Sequence, residues 1–589
     1  MIRKLFLAFI LIALGISLYF NPNFKTIAAG ISILLFGMIL LEEGFKVFAK
    51  GTLQRVLKKA TNKLYKSISI GAFVTALIQS SSLVSVITIS FISAGLISLG
   101  GGLGLIFGAN IGTTATAWLV AGFGLKIKIS ALAMPMLIFG LIFTFQKKES
   151  LKGIGNVLAG LGFFFLGIHY MKEGFDVFKE YIDLTQYAVS GFLGVIIYTV
   201  LGIIITTILQ SSSATLALIL TALAAGQIEY ENALALAIGA NVGTTITAIL
   251  GSISSNVAGR RLAGAHLIFN VTTGVVALSL IYPLGRLVNI LSEVVGVSAT
   301  DYTLKLAMFH TIFNILGVLI MLPFIKMLER FLMKYIKEKV DKDIDEPKFL
   351  TKDILEYPEA LIVSLENESK YLFKNAIFEI VAHALNIHRE DIKSDKKIKS
   401  IVKNSKEDLH TKVDELYYTK VKNIYGQIIS YATRGQSSLK LTEEENSHIS
   451  EIKVANRKMI EIIRNVHNLS KKDMVYNTSD NKLIQKEYDK FKKRIVKVLR
   501  VIYLFRKGDL ETKEQHFEKL LKLKNDALLG IEGQSNKSIN KLISDNLVSV
   551  DIGSTLVNDN DNVNDIIKKL ITIAELLYGE KDTLLENNS

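Results

Sequence analysis

The chain has 589 residues, half of them hydrophobic, with a mean hydropathy of +0.36, no cysteine and a formal charge of +14. That composition excludes an ordinary soluble globular protein of this size, and the missing cysteine excludes a disulfide framework and a thiolate metal site. Nearly all the net charge falls before residue 341, where Lys and Arg flank apolar runs, so the basic balance reads as membrane orientation rather than nucleic-acid binding.

The first stretch, MIRKLFLAFILIALGISLYF, has a basic start and an apolar run. No small-x-small cleavage site precedes the following NPNF, so it reads as an uncleaved first span. Full spans are predicted at about 5–20, 27–41, 103–122, 129–145, 154–171, 233–251, 262–283 and 303–328. Two longer apolar pieces, about 67–98 and 190–226, each carry one Gln-Ser-Ser-Ser at the middle. As a single helix, a piece of ~32 residues would be ~48 Å long against a hydrocarbon core of ~30 Å, and it is too short for two full spans. The length fits a hairpin that enters, breaks at the polar residues and returns to the same side.

Charge placement tests this. With the N-terminus inside and both hairpins re-entrant, the basic segments 46–66, 147–152, 260–261 and 326 onward fall inside, while the net-acidic 172–183 and the Glu229/Glu231 loop fall outside. If each hairpin crossed once, Lys147, Lys148 and Lys152 would lie outside. The expectation is eight spans in a cell membrane, with both termini cytoplasmic.

The polar phrases recur. Gln79 and Gln210 are 131 residues apart, as are Asn110 and Asn241 in GANIGTT and GANVGTT. Glu43 and Glu173, in FGMILLEEGFKVF and LGIHYMKEGFDVF, are 130 apart. Three ordered phrases at nearly constant offset mark an internal duplication, with repeat one at about 27–145 and repeat two at about 154–283. Each copy holds three spans and one hairpin. An odd number of spans inverts the second copy and lets the two hairpin tips meet near the midplane, an architecture found in secondary transporters.

A break in lipid frees backbone groups, which demands burial in protein or a wet cavity. The second arm of each hairpin starts at the serines, and its N-terminus offers unpaired N–H donors and a positive dipole end to an anion. The first arm ends in free carbonyls beside Gln, Ser and Thr oxygens, which suit a hard monovalent cation such as sodium. The predicted substrate residues are Gln79, Ser80, Ser81 and Ser82 with Gln210, Ser211, Ser212 and Ser213. Asn110, Thr113, Thr114, Asn241, Thr244 and Thr245 join them, where the next span crosses each tip. Thr75, Gln79, Ser81, Thr206, Gln210 and Ser212 are the candidate sodium ligands. The competing reading, serines bonded back to their own helix and small residues packing helices together, accounts poorly for two matched copies. GGGLGLIFG lacks a strand before it and a Lys-Ser/Thr after it, so it is no nucleotide loop. AGAHLIFN and AMFHTIFN share A-x-x-H-x-x-F-N, and there a hydrogen bond to a neighbouring helix is a simpler role for His266 and His310 than proton relay.

The paired Gln-Ser-Ser-Ser and G-A-N-x-G-T-T phrases resemble the type II sodium–phosphate cotransporter family over about 27–320, with the short linker of its bacterial branch. The resemblance implies that residues 79–82 and 210–213 form the phosphate and sodium site. It also implies that a C-terminal extension is similar to the phosphate-signalling protein PhoU. Such an extension follows here: after a transmembrane domain over 1–340, residues 341–589 are charge-rich, with helical periodicity from about 355 and further stretches at about 403–436, 440–470, 478–508, 511–548 and 562–580. They predict a cytoplasmic, antiparallel six-helix bundle; the resemblance implies that its acidic residues bind metal, but no tight ligand cluster stands out and solvated helix faces are the simpler expectation. The fold class is therefore all-α, a polytopic transporter with an appended regulatory bundle. No hydrolase or kinase constellation is present, so no enzyme and no cofactor are expected. The expected function is sodium-coupled transport of inorganic phosphate by a protein in the lipid bilayer, with homo-oligomers open. A carrier for another oxyanion, a phosphate exporter and a non-transporting phosphate sensor are the alternatives.

Overall fold

The computed structural model describes residues 15–49, 63–126, 129–181, 183–337, 345–405, 413–477, 481–529 and 537–579. Every regular element among them is helical, and the chain divides into two units, Met1–Glu338 and Lys339–Ser589.

In the first unit α1 is Pro22–Ala49, α2 Leu64–Ile78, α3 Ser81–Ser93, α4 Leu99–Trp118, α5 Ile129–Thr144, α6 Glu149–Tyr181 and α7 Gly191–Leu209. Then come α8 Ser212–Ala224, α9 Tyr230–Gly243, α10 Thr245–Ser252, α11 Val257–Ser279, α12 Ile281–Val294, α13 Tyr302–Met321 and α14 Ile325–Tyr335. Seven described stretches are long and apolar enough to cross a membrane: Phe24–Val47, Leu99–Gly124, Glu149–Lys179, Gly191–Leu209, Tyr230–Ser252, Val257–Ser279 and Tyr302–Tyr335. Six of them coincide with predicted spans. Most of the predicted span at 5–20 lies outside the described residues. The one predicted at 129–145 is α5, only 16 residues with Pro135 inside, about 24 Å long. The seventh is α7, expected as a hairpin arm; at 19 residues it is about 28 Å long.

Both Gln-Ser-Ser-Ser phrases break the helix in the same way. Gln79 and Gln210 sit in the left-handed region, at φ 60° and 53°, and end α2 and α7. Ser80 and Ser211 then cap the next helix, their hydroxyls accepting from Leu83 N at 3.2 Å and Ala214 N at 3.1 Å. One residue stops a helix and its neighbour starts another, because a left-handed residue reverses the chain and a serine hydroxyl satisfies an orphan N–H of the first turn.

The arms differ in environment. α7 exposes Phe192, Leu193, Ile196, Val200, Ile204 and Ile208, an apolar stripe of the kind that faces lipid, whereas α3 and α8 are enclosed on nearly all sides. Glycines let each first arm lie directly on the following helix. A Cβ on Gly108 would sit 2.0 Å from Ile68 O, and one on Gly239 would sit 2.0 Å from Thr199 O. Gly71 meets Leu105 O at 2.3 Å and Gly202 meets Leu236 O at 2.3 Å by the same measure. All four contacts repeat at the 131-residue offset.

The second unit contains the long helices Glu443–Asn477, Lys482–Lys507 and Val550–Tyr578, with shorter ones including Pro358–Leu372, Lys422–Ser438 and Leu510–Leu529. The stretch expected as one helix over 511–548 is two, Leu510–Leu529 and Lys537–Ser544. The second ends by Asn546 at φ 51°, and Ser549 caps the last long helix, which begins well before the expected 562. Not every carboxylate lies on a solvated face. Asp559 is buried and held by Lys472 Nζ and Tyr488 Oη, each at 2.6 Å. Glu368 is fully buried and accepts from the backbone N–H groups of Lys348 at 2.8 Å and Phe349 at 2.7 Å.

Candidate functional site: two broken-helix tips

The tip residues Gln79, Ser81, Ser212 and Ser213 are buried; Ser80, Ser82 and Ser211 are partly buried, and Gln210 is exposed. Two threonines absent from the predicted set bring the tips together. Thr116 Oγ1 lies 2.7 Å from Gln79 Oε1 in its own copy and 3.1 Å from Ser213 Oγ in the other. Thr247 Oγ1, 131 residues on, lies 3.3 Å from Ser82 Oγ, crossing between copies in the opposite sense. The repeat itself carried the signal for both: G-T-T-A-T and G-T-T-I-T are matched phrases.

The G-T-T threonines themselves bond back to their own helices. Thr113 and Thr244 donate to Ala109 O and Ala240 O four residues back, and Thr114 and Thr245 to Ile111 O and Val242 O three residues back. Asn110 Nδ2 likewise returns to Ile106 O at 3.1 Å. Asn241 instead joins a buried cluster. Its Nδ2 donates to Asn314 Oδ1 at 3.2 Å, its carbonyl accepts from Asn270 Nδ2 at 2.9 Å, and that Nδ2 is 3.2 Å from His266 Nε2. One of the two matched histidines therefore touches the Asn of its own phrase, a contact within α11 rather than the expected one to a neighbouring helix.

The two candidate cation positions differ. Thr206 Oγ1 donates to Thr215 Oγ1 at 3.0 Å, while Thr75 Oγ1 is fully buried and has no partner among the described residues. The cause is legible: position 84, where the offset places the counterpart of Thr215, is Val84.

A carboxylate also reaches the first tip. Reckoned within the hairpin segments, the acids Asp183, Glu229 and Glu231 stand at the margins, but the fold brings in Glu42 from α1, with its Oε2 3.2 Å from Ser80 Oγ.

Chemically, each tip offers first-turn N–H groups that have no partner within their helix, serine hydroxyls, and an amide or threonine oxygen. That set can hold an oxyanion and a desolvated alkali cation side by side. Fold and site together define an all-helical, multi-pass membrane protein with two matched broken helices meeting in its interior. The Na+/Pi-cotransporter family pattern matches residues 33–173 and 194–326, which include both tips. Within this membrane unit the chain is similar to the Na+/Pi-cotransporter family.

Among curated relatives, it is 28% identical over 344 residues to an Escherichia coli (strain K12) protein provisionally named an inorganic phosphate export protein, YjbB. That match covers 58% of this chain and 61% of the relative. The Salmonella typhimurium protein of the same name matches over 343 residues, again at 28% identity and with 58% and 61% of the two chains covered. The uncharacterized Bacillus subtilis (strain 168) protein YqeW is 29% identical over 315 residues, 52% of this chain and 95% of the relative. No solved structure matches.

Proposed function

We propose that the membrane unit is a secondary transporter that moves inorganic phosphate coupled to sodium, and that its two repeats are inverted with re-entrant hairpins. One observation carries the reading. The Thr116 hydroxyl lies within hydrogen-bond reach of both Gln79 and Ser213, so the two breaks converge on shared atoms.

The inversion is supported by the crossing of α1 and α6. Gly30 packs on Gly167 and Gly37 on Gly160, and adding 130 to either glycine of α1 gives the partner of the other. Gly44 against Val157 and Gly174 against Ile27 obey the same rule. Such exchanged pairs are the signature of a two-fold axis. Between antiparallel spans that axis lies in the membrane plane. Both termini are then cytoplasmic, and the hairpins enter from opposite faces.

Sodium follows from electrostatics. No Lys or Arg occurs in 67–125 or 182–258. A buried phosphate charge needs neutralising, and helix N-termini contribute only about 0.3–2 kcal/mol each. Sodium at Thr75, Gln79 and Ser81, with Thr206, Gln210 and Ser212 as the matched set, supplies the missing charge. The second unit is then a cytoplasmic, PhoU-like regulatory bundle. Net export is the second reading, favoured by the names of the relatives.

Phosphate counterflow in liposomes tests the transport claim. A transporter accelerates exchange of labelled phosphate across the bilayer, and arsenate or sulfate added in excess reports selectivity. A sensor gives no exchange above empty liposomes.

A further inference from the structure

Ser80 and Ser211 are equivalent by the repeat, and both cap a helix, but their hydroxyls are not equally placed. Ser80 Oγ is 3.2 Å from Glu42 Oε2, and the other oxygen of Glu42 is 2.8 Å from Lys46 Nζ. The residue 130 beyond Glu42 is Lys172, and among the described residues no carboxylate hydrogen-bonds to Ser211. The first tip therefore carries a carboxylate that the second lacks.

A serine hydroxyl has one proton and donates one hydrogen bond at a time. With its oxygen accepting from Leu83 N and its proton directed to Glu42, Ser80 has no donor left for a phosphate oxygen. Glu42 also sets a negative charge beside the N-terminus of α3, where an anion would otherwise be favoured. Lys46 offsets part of that charge, and solvent screens more of it, because the Glu42 side chain is 30% exposed.

We propose that Glu42 is a positioning residue that acts through Ser80 to hold phosphate affinity at the first tip below that of the second. It makes two tips of matching sequence unequal. A carrier needs a site weak enough to release its cargo as well as strong enough to load it, and Glu42 supplies the weakening at one tip. The inference rests on the phosphate reading above.

The test is equilibrium binding of labelled phosphate to the purified full chain at saturating sodium, for wild type, Glu42→Ala, Glu42→Gln, Ser80→Ala and Glu42→Ala/Ser80→Ala. Glu42→Ala should bind phosphate roughly 3- to 10-fold more tightly than wild type, since it frees a donor and removes a nearby like charge. Glu42→Gln removes the charge but keeps an acceptor for Ser80, so it should show a smaller gain in the same direction. It also serves if Glu42→Ala does not fold. In the Ser80→Ala background most of the Glu42→Ala gain should disappear. A purely structural role predicts unchanged or weaker binding in folded Glu42→Ala and Glu42→Gln, and that result overturns the proposal, as does an undiminished gain without Ser80. A wild-type protein that binds no phosphate at all defeats the parent reading instead.

Discussion

Gln79 and Gln210 hold a backbone conformation that costs a non-glycine residue roughly 1–3 kcal/mol unless the surroundings compensate. For Gln79 they do: its N–H reaches Thr75 O at 2.8 Å and its side-chain oxygen takes Thr116. That pairing sets an order among threonines that spacing alone does not reveal. Thr116→Val strips the hydroxyl shared by the two tips and should weaken phosphate binding about tenfold, near 1.4 kcal/mol. Thr114→Val removes a hydroxyl already bonded to its own helix and should change binding less than threefold. Binding isotherms of the two variants check the contrast. The break residues were legible in the sequence because a polar phrase in apolar sequence needs a reason. The orientation of Thr113 and Thr114 was not, because back-bonding to the preceding turn is decided by rotamer and leaves no trace in spacing. In the second unit, burial pushes the Glu368 carboxyl up to about 7 against the lowering effect of the Phe349 and Lys348 amides. An acid whose folded value is raised contributes its full stability below its ordinary value of 4.5, and that contribution fades as pH rises toward about 7. The range is roughly 3 kcal/mol. Glu368→Gln should therefore raise the thermal stability of this unit relative to wild type at pH 8 and lose the advantage by pH 5, as read by unfolding of the purified full chain at both pH values.

The helices of the first unit meet at glycines. Apolar length found six crossing helices, since length and apolarity are what a bilayer selects. It read α7 as an arm because the whole piece at 190–226 is too short for two spans, although 19 residues alone also satisfy the length of a span. At α5 the predicted 129–145 matches the helix to one residue, with Pro135 already plain in the sequence. The close crossings are sharper. Ile68 O lies where a Cβ on Gly108 would be, 2.0 Å away, so backbone rather than a movable side chain must shift. Gly108→Ala should cost about 1–3 kcal/mol and reduce the folded, detergent-stable yield. Gly122→Ala, at a position with nothing within 4 Å, should leave the yield intact. Size-exclusion profiles of the two variants under gentle detergent compare them directly. In the bundle, amphipathic periodicity located most helices. It ran two of them together at 511–548, and it started the last long helix late, because the left-handed Asn546 and the Ser549 cap before that helix carry no periodic signal.

At the scale of the whole molecule, the exchanged glycine contacts between α1 and α6 and the exchanged threonine–serine contacts between the tips describe the same two-fold relation. If that axis lies in the membrane plane, residues 63 and 183 face opposite sides. Cysteines introduced singly at Lys63 and Asp183 into this cysteine-free chain should then label differently with an impermeant thiol reagent added outside, 183 reacting and 63 spared. Equal labelling would remove the inversion. The division into two units near residue 338 coincides with the change from apolar to charge-rich sequence. The pairing of tips across copies was legible only as a possibility, since an offset states equivalence and not contact. The central claim is that sodium supplies the charge the tips lack, and it is tested most directly by phosphate affinity of the purified full chain in sodium against potassium or choline at equal ionic strength. The account predicts a loss of well over tenfold on removing sodium, with Ser81→Ala and Ser212→Ala weakening both ions together. Equal phosphate affinity with and without sodium would contradict it.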